Sequence, residues 1–129
     1  MSKLELSTIR KYFWAYLMPV LWAGFIFFCS AQESLPGLSI SIFEFIFKKS
    51  AHMFVFAILY VLLLRAYCKT NKKKIDKNTY LLFIIICLLY AISDEFHQSN
   101  VPGRHPALRD IGFDMLGTTT VLLYQLKII

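Results

Sequence analysis

Polar sequence is what this chain has least of. Of its 129 residues, 57% are hydrophobic and the mean hydropathy is +0.57, whereas a soluble domain is usually about 45–50% apolar. Four apolar stretches, at about 12–30, 50–68, 79–97 and 111–128, approach the roughly 17–25 residues that cross a bilayer as a helix. What remains is too little for a soluble domain, so residues 1–129 read as a single membrane domain. Cysteine is scarce too. Cys29, Cys68 and Cys87 are an odd number without ligand spacing, which counts against a disulfide framework or thiolate metal site and favours small buried hydrophobes. No His-Glu-x-x-His run is present, and no nucleophile motif surrounds Ser93 or Ser99. No catalytic residue, metal site or cofactor is therefore assigned. The middles of the spans carry almost no polar residues, which leaves a transporter without a path.

Acids are outnumbered, eight against 14 lysines and arginines, for a formal charge of +6. No aromatic interleaving or RNA-binding motif accompanies that charge, so nucleic acid is not an expected partner. Its distribution points to a membrane. Lys3, Arg10 and Lys11 precede the first span, Arg65, Lys69, Lys72, Lys73, Lys74 and Lys77 crowd the link between the second and third, and Lys127 closes the chain. Lysine and arginine gather on the cytoplasmic side of short loops. Both termini and the 69–78 link are thus expected in the cytoplasm, in contact with anionic lipid, and the other two links outside. Arg10 and Lys11 before an apolar run, with Cys29-Ser30-Ala31 after it, resemble a signal peptide. The run exceeds the 7–15 residues of a signal h-region, and a retained first helix is expected. Residues 36–47 are too short to span and are interrupted by Ser39, Ser41 and Glu44, which predicts an outer interfacial or re-entrant segment. The expected fold is all-α, a four-helix transmembrane bundle with that short segment. Trp22 and Tyr60 lie too deep for an interfacial belt and should pack between helices.

The most informative junction follows residues 79–93, a 15-residue run with no charge. There the chain reads Asp94-Glu95-Phe96-His97-Gln98, and a Pro102-Gly103 turn signal then precedes Arg104. Asp94, His97 and Gln98 share one helix face, as do Lys49 and His52 at the start of the second span and Asp110 and Asp114 at the start of the fourth. All three groups fall at the same membrane level. A lone charge at mid-bilayer costs roughly 2.5–3.5 kcal/mol on insertion scales and less near the interface. Asp94, Glu95, Asp110 and Asp114 against Lys49, Arg104 and Arg109 can satisfy one another, with His52 and His97 able to adjust the balance.

Three readings stay open. In the first, the cluster receives an anionic or amide-rich ligand. Arg104 and Lys49 then meet phosphate or carboxylate, and Gln98 and the acids meet hydroxyls or amides. In the second it is a polar latch, with carboxylates paired to Arg104 and Arg109 and no ligand. In the third, His52, Asp94, Glu95, His97 and Asp114 hold a metal for a hydrolase or transferase acting on an envelope lipid. Ser30, Gln32 and Ser34 either reach the cluster or cap a helix end. Gly117, with Thr118 to Thr120, reads as a helix-packing surface, and His105 as a solvated loop residue.

These residues resemble the VanZ-like family of small bacterial membrane proteins, named for an accessory teicoplanin-resistance protein. The likeness runs over nearly the whole chain. It is carried by Lys49-x-x-His52, by Asp94-Glu95-x-x-Gln98-x-x-x-Pro102-Gly103-Arg104 and by Asp110-x-x-x-Asp114-x-x-Gly117. Two positions depart from the family's pattern: Phe56 stands where tyrosine is common, and Asp114 where asparagine is frequent. The resemblance implies a multi-pass protein of the bacterial plasma membrane with a role in the cell envelope. It also implies a link to resistance against teicoplanin-type lipoglycopeptides, so such an antibiotic or a lipid-linked envelope precursor is the expected partner beside membrane lipids. Oligomeric state is not readable from the residues.

Overall fold

A computed structural model describes residues 3–32, 42–71, 74–105 and 107–129. Among the described residues are four helices: α1 (Lys3–Ser30), α2 (Ile42–Thr70), α3 (Lys77–Gln98) and α4 (Leu108–Gln125). Each continues past the stretch that hydropathy marks, or begins before it. α1 starts nine residues early and runs through Pro19, a residue that membrane helices tolerate in their interior. α2 absorbs residues 42–47, the described part of the expected interfacial segment, as its first turns. Ile42, Phe43 and Phe47 there remain more than 70% exposed, as an apolar face against lipid requires. Residues 36–41 of that segment lie outside the described residues.

α3 starts where Asp76, in extended backbone at φ −98°, accepts a hydrogen bond from the Thr79 amide at 2.9 Å. This N-cap answers one of the orphan amides of the first turn. The hydroxyl of Thr79 donates to the same carboxylate oxygen, and that bond, with the amide's, holds the Asp76 carboxyl below its usual range. α4 ends at Gln125: the Leu126 amide closes on the Leu122 carbonyl at 2.9 Å, and Lys127 beyond it takes a left-handed φ of 56°. The helix therefore lies three residues earlier than the 111–128 expected.

Three helices are long and apolar enough to cross a membrane, and within them only 22%, 33% and 28% of the apolar windows are buried. Surfaces that apolar are stable only against lipid tails. α4 is shorter and carries Arg109, Asp110 and Asp114; its extensive packing on α2 covers the two acids and leaves Arg109 exposed.

Cross-helix contacts give the topology. Lys11 reaches the Thr70 carbonyl at 3.0 Å and Trp22 the Val55 carbonyl at 2.9 Å, so α1 and α2 run antiparallel. Lys49 meets Asp110 and His52 meets Asp114, so α2 and α4 run parallel and in register. Glu95 meets the Ala107 amide, joining α3 to the start of α4. The order is up, down, up, down. Phe56, Tyr60, Cys87, Ala91 and Thr118 are at most 0% exposed at the centre of the bundle. Trp22 and Tyr60 thus pack between helices as expected. Cys29 and Cys68 do not follow the expectation of burial: both are exposed, and only Cys87 is buried. They sit near the ends of α1 and α2.

Gly117 is the tightest point of the α2–α4 pairing. A Cβ there would lie 2.0 Å from the Met53 carbonyl oxygen, a backbone atom that cannot swing aside. Gly117→Ala is expected to destabilise the bundle by about 1–3 kcal/mol, read as a lower melting temperature of purified protein. Asp76→Ala should also lower it at neutral pH. Because the native carboxyl is held below its unfolded value, its contribution is complete above the ordinary carboxylate range and fades as pH falls through the native value. The gap between wild type and Asp76→Ala should then close in acid.

Candidate functional site

The eight residues singled out from the sequence gather at one end of the bundle, where α1 and α3 finish and α2 and α4 begin. Asp94, Glu95 and Asp114 sit behind, and Asp110 and the cations in front. Asp94 is 2% exposed and Asp114 1%, depths at which a carboxylate must be partnered. Asp114 Oδ1 lies 3.0 Å from His52 Nδ1, joining α4 to α2. Asp94 Oδ2 accepts from Ser30 Oγ at 2.7 Å and from Gln98 Nε2 at 2.8 Å, joining α3 to α1. Glu95 Oε1 accepts from the Ala107 amide at 2.6 Å. Ala107 is the N-cap of α4 and supplies no capping side chain itself, so Glu95 acts from α3 on that helix start and adds charge favourable to its dipole.

Asp110, in the first turn of α4, pairs with Lys49 Nζ at 2.6 Å. The lysine is held further by the rings of Phe45 and Phe113, at 5.6 and 6.0 Å. Arg109 lies 3.6 Å from the other oxygen of Asp110 but is 69% exposed, so it adds little. Arg104 arrives as the sequence indicates. Its amide closes on the Val101 carbonyl at 3.1 Å and Gly103 takes φ 75°, the left-handed position that the second central residue of a Pro-Gly turn demands. The arginine then donates through Nε to the Gln32 carbonyl at 3.3 Å. Among the described residues it pairs with no carboxylate, so the latch imagined between the acids and Arg104 does not form there.

In front of this frame lies a cleft of about 310 Å³ between the end of α1 and the beginning of α2. Lys48, Lys49, His52 and Arg104 line it beside Ser30, Gln98 and a single described acid, Asp110. Its other wall is apolar, formed by Phe25, Ile26, Phe47 and Val55. Phe25 is 48% and Phe47 75% exposed, so the cleft opens sideways onto surface that would face acyl chains. Asp94, Glu95 and Asp114 do not line it. Lys48 and the apolar wall were missed from sequence. The four-residue spacing of Lys48 and His52 was an available signal, but nothing local marks Phe25 or Val55. His97 turns the other way and stacks on Phe27, ring centres 3.9 Å apart; His105 is exposed. Among the described residues no group of three or more potential ligands is placed to hold a metal ion.

The family model described as VanZ/LLP1 matches residues 13–127, nearly the whole chain, including every residue of this cluster. The chain belongs to the VanZ-like family. No curated protein and no solved structure matches it. Asp114 and Phe56 have plain places in the fold. Asp114 brings a carboxylate that His52 answers. Phe56 lies one turn beyond His52, fully buried, its ring 5.9 Å from that of Tyr90.

If Asp114 acts through His52, the two should be energetically coupled. A double-mutant cycle of His52→Ala and Asp114→Ala is expected to show a coupling of about 0.5–3 kcal/mol in unfolding free energy. Additive losses would mean that the contact contributes nothing.

Proposed function

We propose that this VanZ-like protein recognises, at an outward-facing site, the anionic headgroup of a lipid-linked or lipid-anchored ligand of the cell envelope, and thereby contributes to resistance against teicoplanin-type lipoglycopeptides. The observation that carries the reading is the cleft itself. Lys48, Lys49, His52 and Arg104 face one described acid across it, and its apolar wall ends in exposed phenylalanines. A headgroup carrying phosphate or carboxylate meets charge-assisted donors there, while its hydrocarbon tail stays in the bilayer beside Phe25 and Phe47. Arg104 suits such an anion best, because its planar fork can bind two oxygens at once. Lys49 is already held by Asp110, so a ligand gains from it only by sharing that pair. Outward orientation is supported by the basic residues at the opposite end, in the first turns of α1 and around the α2–α3 link.

One feature favours a second reading, a membrane-embedded hydrolase or transferase. His52 lines the cleft while its Nδ1 is held by buried Asp114, an arrangement that orients an imidazole for proton transfer. Binding needs only the cations, whereas turnover also needs His52.

The test is teicoplanin susceptibility of a sensitive Gram-positive host expressing wild type, Arg104→Ala or no protein, at matched membrane levels. Wild type should raise the inhibitory concentration and Arg104→Ala should lose most of that protection. No protection from well-expressed wild type would remove the antibiotic from the proposal. Equal protection by Arg104→Ala would remove the cleft.

A further inference from the structure

The cleft has a hydrogen-bond polarity of its own, set from behind by Asp94. Ser30 and Gln98 line the cleft, and Asp94 does not. Ser30 Oγ donates to Asp94 Oδ2 at 2.7 Å, and Gln98 Nε2 donates to the same oxygen at 2.8 Å. Ser30 thus has its only hydroxyl proton on the carboxylate, and Gln98 is turned with its side-chain carbonyl oxygen away from it. What both hold ready for a ligand is an oxygen acceptor. Among the described residues Asp94 forms no ion pair, and its Oδ1 is buried without a hydrogen-bond partner. The two donors are therefore the support of a buried carboxyl, and turning either away from it is costly.

Burial orders the cleft from mouth to floor. Phe25, Phe47 and Lys48 are exposed, Lys49, His52 and Arg104 are half-buried, and Ser30 and Gln98 are buried. Arg104 stands close to the floor, since its Nε is bonded to the Gln32 carbonyl, two residues beyond Ser30. A ligand entering from the side would leave hydrocarbon at the phenylalanines, place its anion among the cations and bring the next group to the two acceptors. That group must donate. An ammonium there is repelled by Lys49 and Arg104. A hydroxyl is neutral, donates to an acceptor and can accept from a neighbouring cation, whereas an amide N–H only donates.

We propose that the ligand of this cleft is a phosphate ester whose headgroup carries hydroxyls, a polyol of glycerol or sugar type, and that Asp94 is the positioning residue that selects it by holding Ser30 and Gln98 as acceptors. The inference rests on the reading of the cleft as an anion site.

The experiment uses the purified full chain, delipidated in a neutral detergent, with bound lipid counted by native mass spectrometry. Phosphatidylglycerol and phosphatidylinositol carry hydroxyls, phosphatidylpropanol has the same phosphodiester charge without them, and phosphatidylcholine is the neutral control. Wild type should bind the hydroxylated lipids more tightly than phosphatidylpropanol, by about two- to tenfold for each hydrogen bond formed. The tighter of the two tells an open-chain polyol from a ring. Gln98→Leu should shrink that ratio. Asp94→Ala should bring it close to one although Ser30 and Gln98 remain, because both are then free to donate to the phosphate. A purely structural loss would weaken all the anionic lipids in proportion and leave the ratio unchanged. Circular dichroism on each variant confirms that the helices are retained. Equal binding of phosphatidylpropanol and the hydroxylated lipids by wild type overturns the inference and leaves the anion site standing. An unchanged ratio in folded Asp94→Ala and Gln98→Leu overturns the role given to Asp94. Phosphatidylcholine bound as tightly as phosphatidylpropanol would remove the anion site itself, and this inference with it.

Discussion

Carboxylates inside the end of an apolar bundle have to be satisfied by protein, since no water reaches them cheaply. The architecture of this molecule follows from how that demand is met. Four described acids at the polar end each reach a partner on a different helix: Asp94 reaches Ser30 on α1, Glu95 the amide that opens α4, and Asp110 and Asp114 reach Lys49 and His52 on α2. Taken together, these contacts join α1 to α3, α3 to α4 and α4 to α2. The remaining joint, α1 to α2, is made deeper by Trp22 on the Val55 carbonyl and at the far end by Lys11 on the Thr70 carbonyl. Between membrane helices, apolar side chains gain little over lipid, so polar contacts and close backbone approach set the register. The approach of α4 to α2 at Gly117 serves the same pairing as Asp110 and Asp114.

A division of labour results. Acids that hold helices together are unavailable to a ligand, and among the described residues only Asp110 is left to line the cleft beside its cations. Lys49 belongs partly to both groups. Arg104 is brought to the cleft by a tight turn and tied only to a backbone carbonyl among the described residues. Asp114 contributes to the cleft indirectly, by fixing the ring of His52. Such an arrangement is preorganised: the groups that would meet an anion are positioned before it arrives.

Much of this was legible in the residues, and the limits have physical causes. The Pro102-Gly103 turn, the shared faces of Lys49 with His52 and of Asp94 with Gln98, and the packing role of Gly117 are local patterns of helix or turn geometry, which spacing alone reveals. Pairing is a matter of register between distant helices. Nothing in the spacing distinguishes Asp114 bound to His52 from Asp114 bound to Arg104. Helix ends were blurred for a related reason. Hydropathy marks where a chain becomes apolar, whereas α2 begins at Ile42 and α4 at Leu108, where backbone geometry and caps decide. The apolar wall of the cleft left no trace in sequence, since Phe25 and Val55 look like any other membrane residues until α1 is laid against α2.

Recognition of an external envelope ligand requires the cleft to open to the outside of the cell while the basic end does not. Thiol labelling in intact cells tests this most directly, using Arg104→Cys and Lys74→Cys in a background with Cys29, Cys68 and Cys87 replaced by serine. A membrane-impermeant reagent should modify Arg104→Cys in intact cells and Lys74→Cys only after permeabilisation. The opposite pattern would place the cleft in the cytoplasm and contradict recognition of an external envelope ligand.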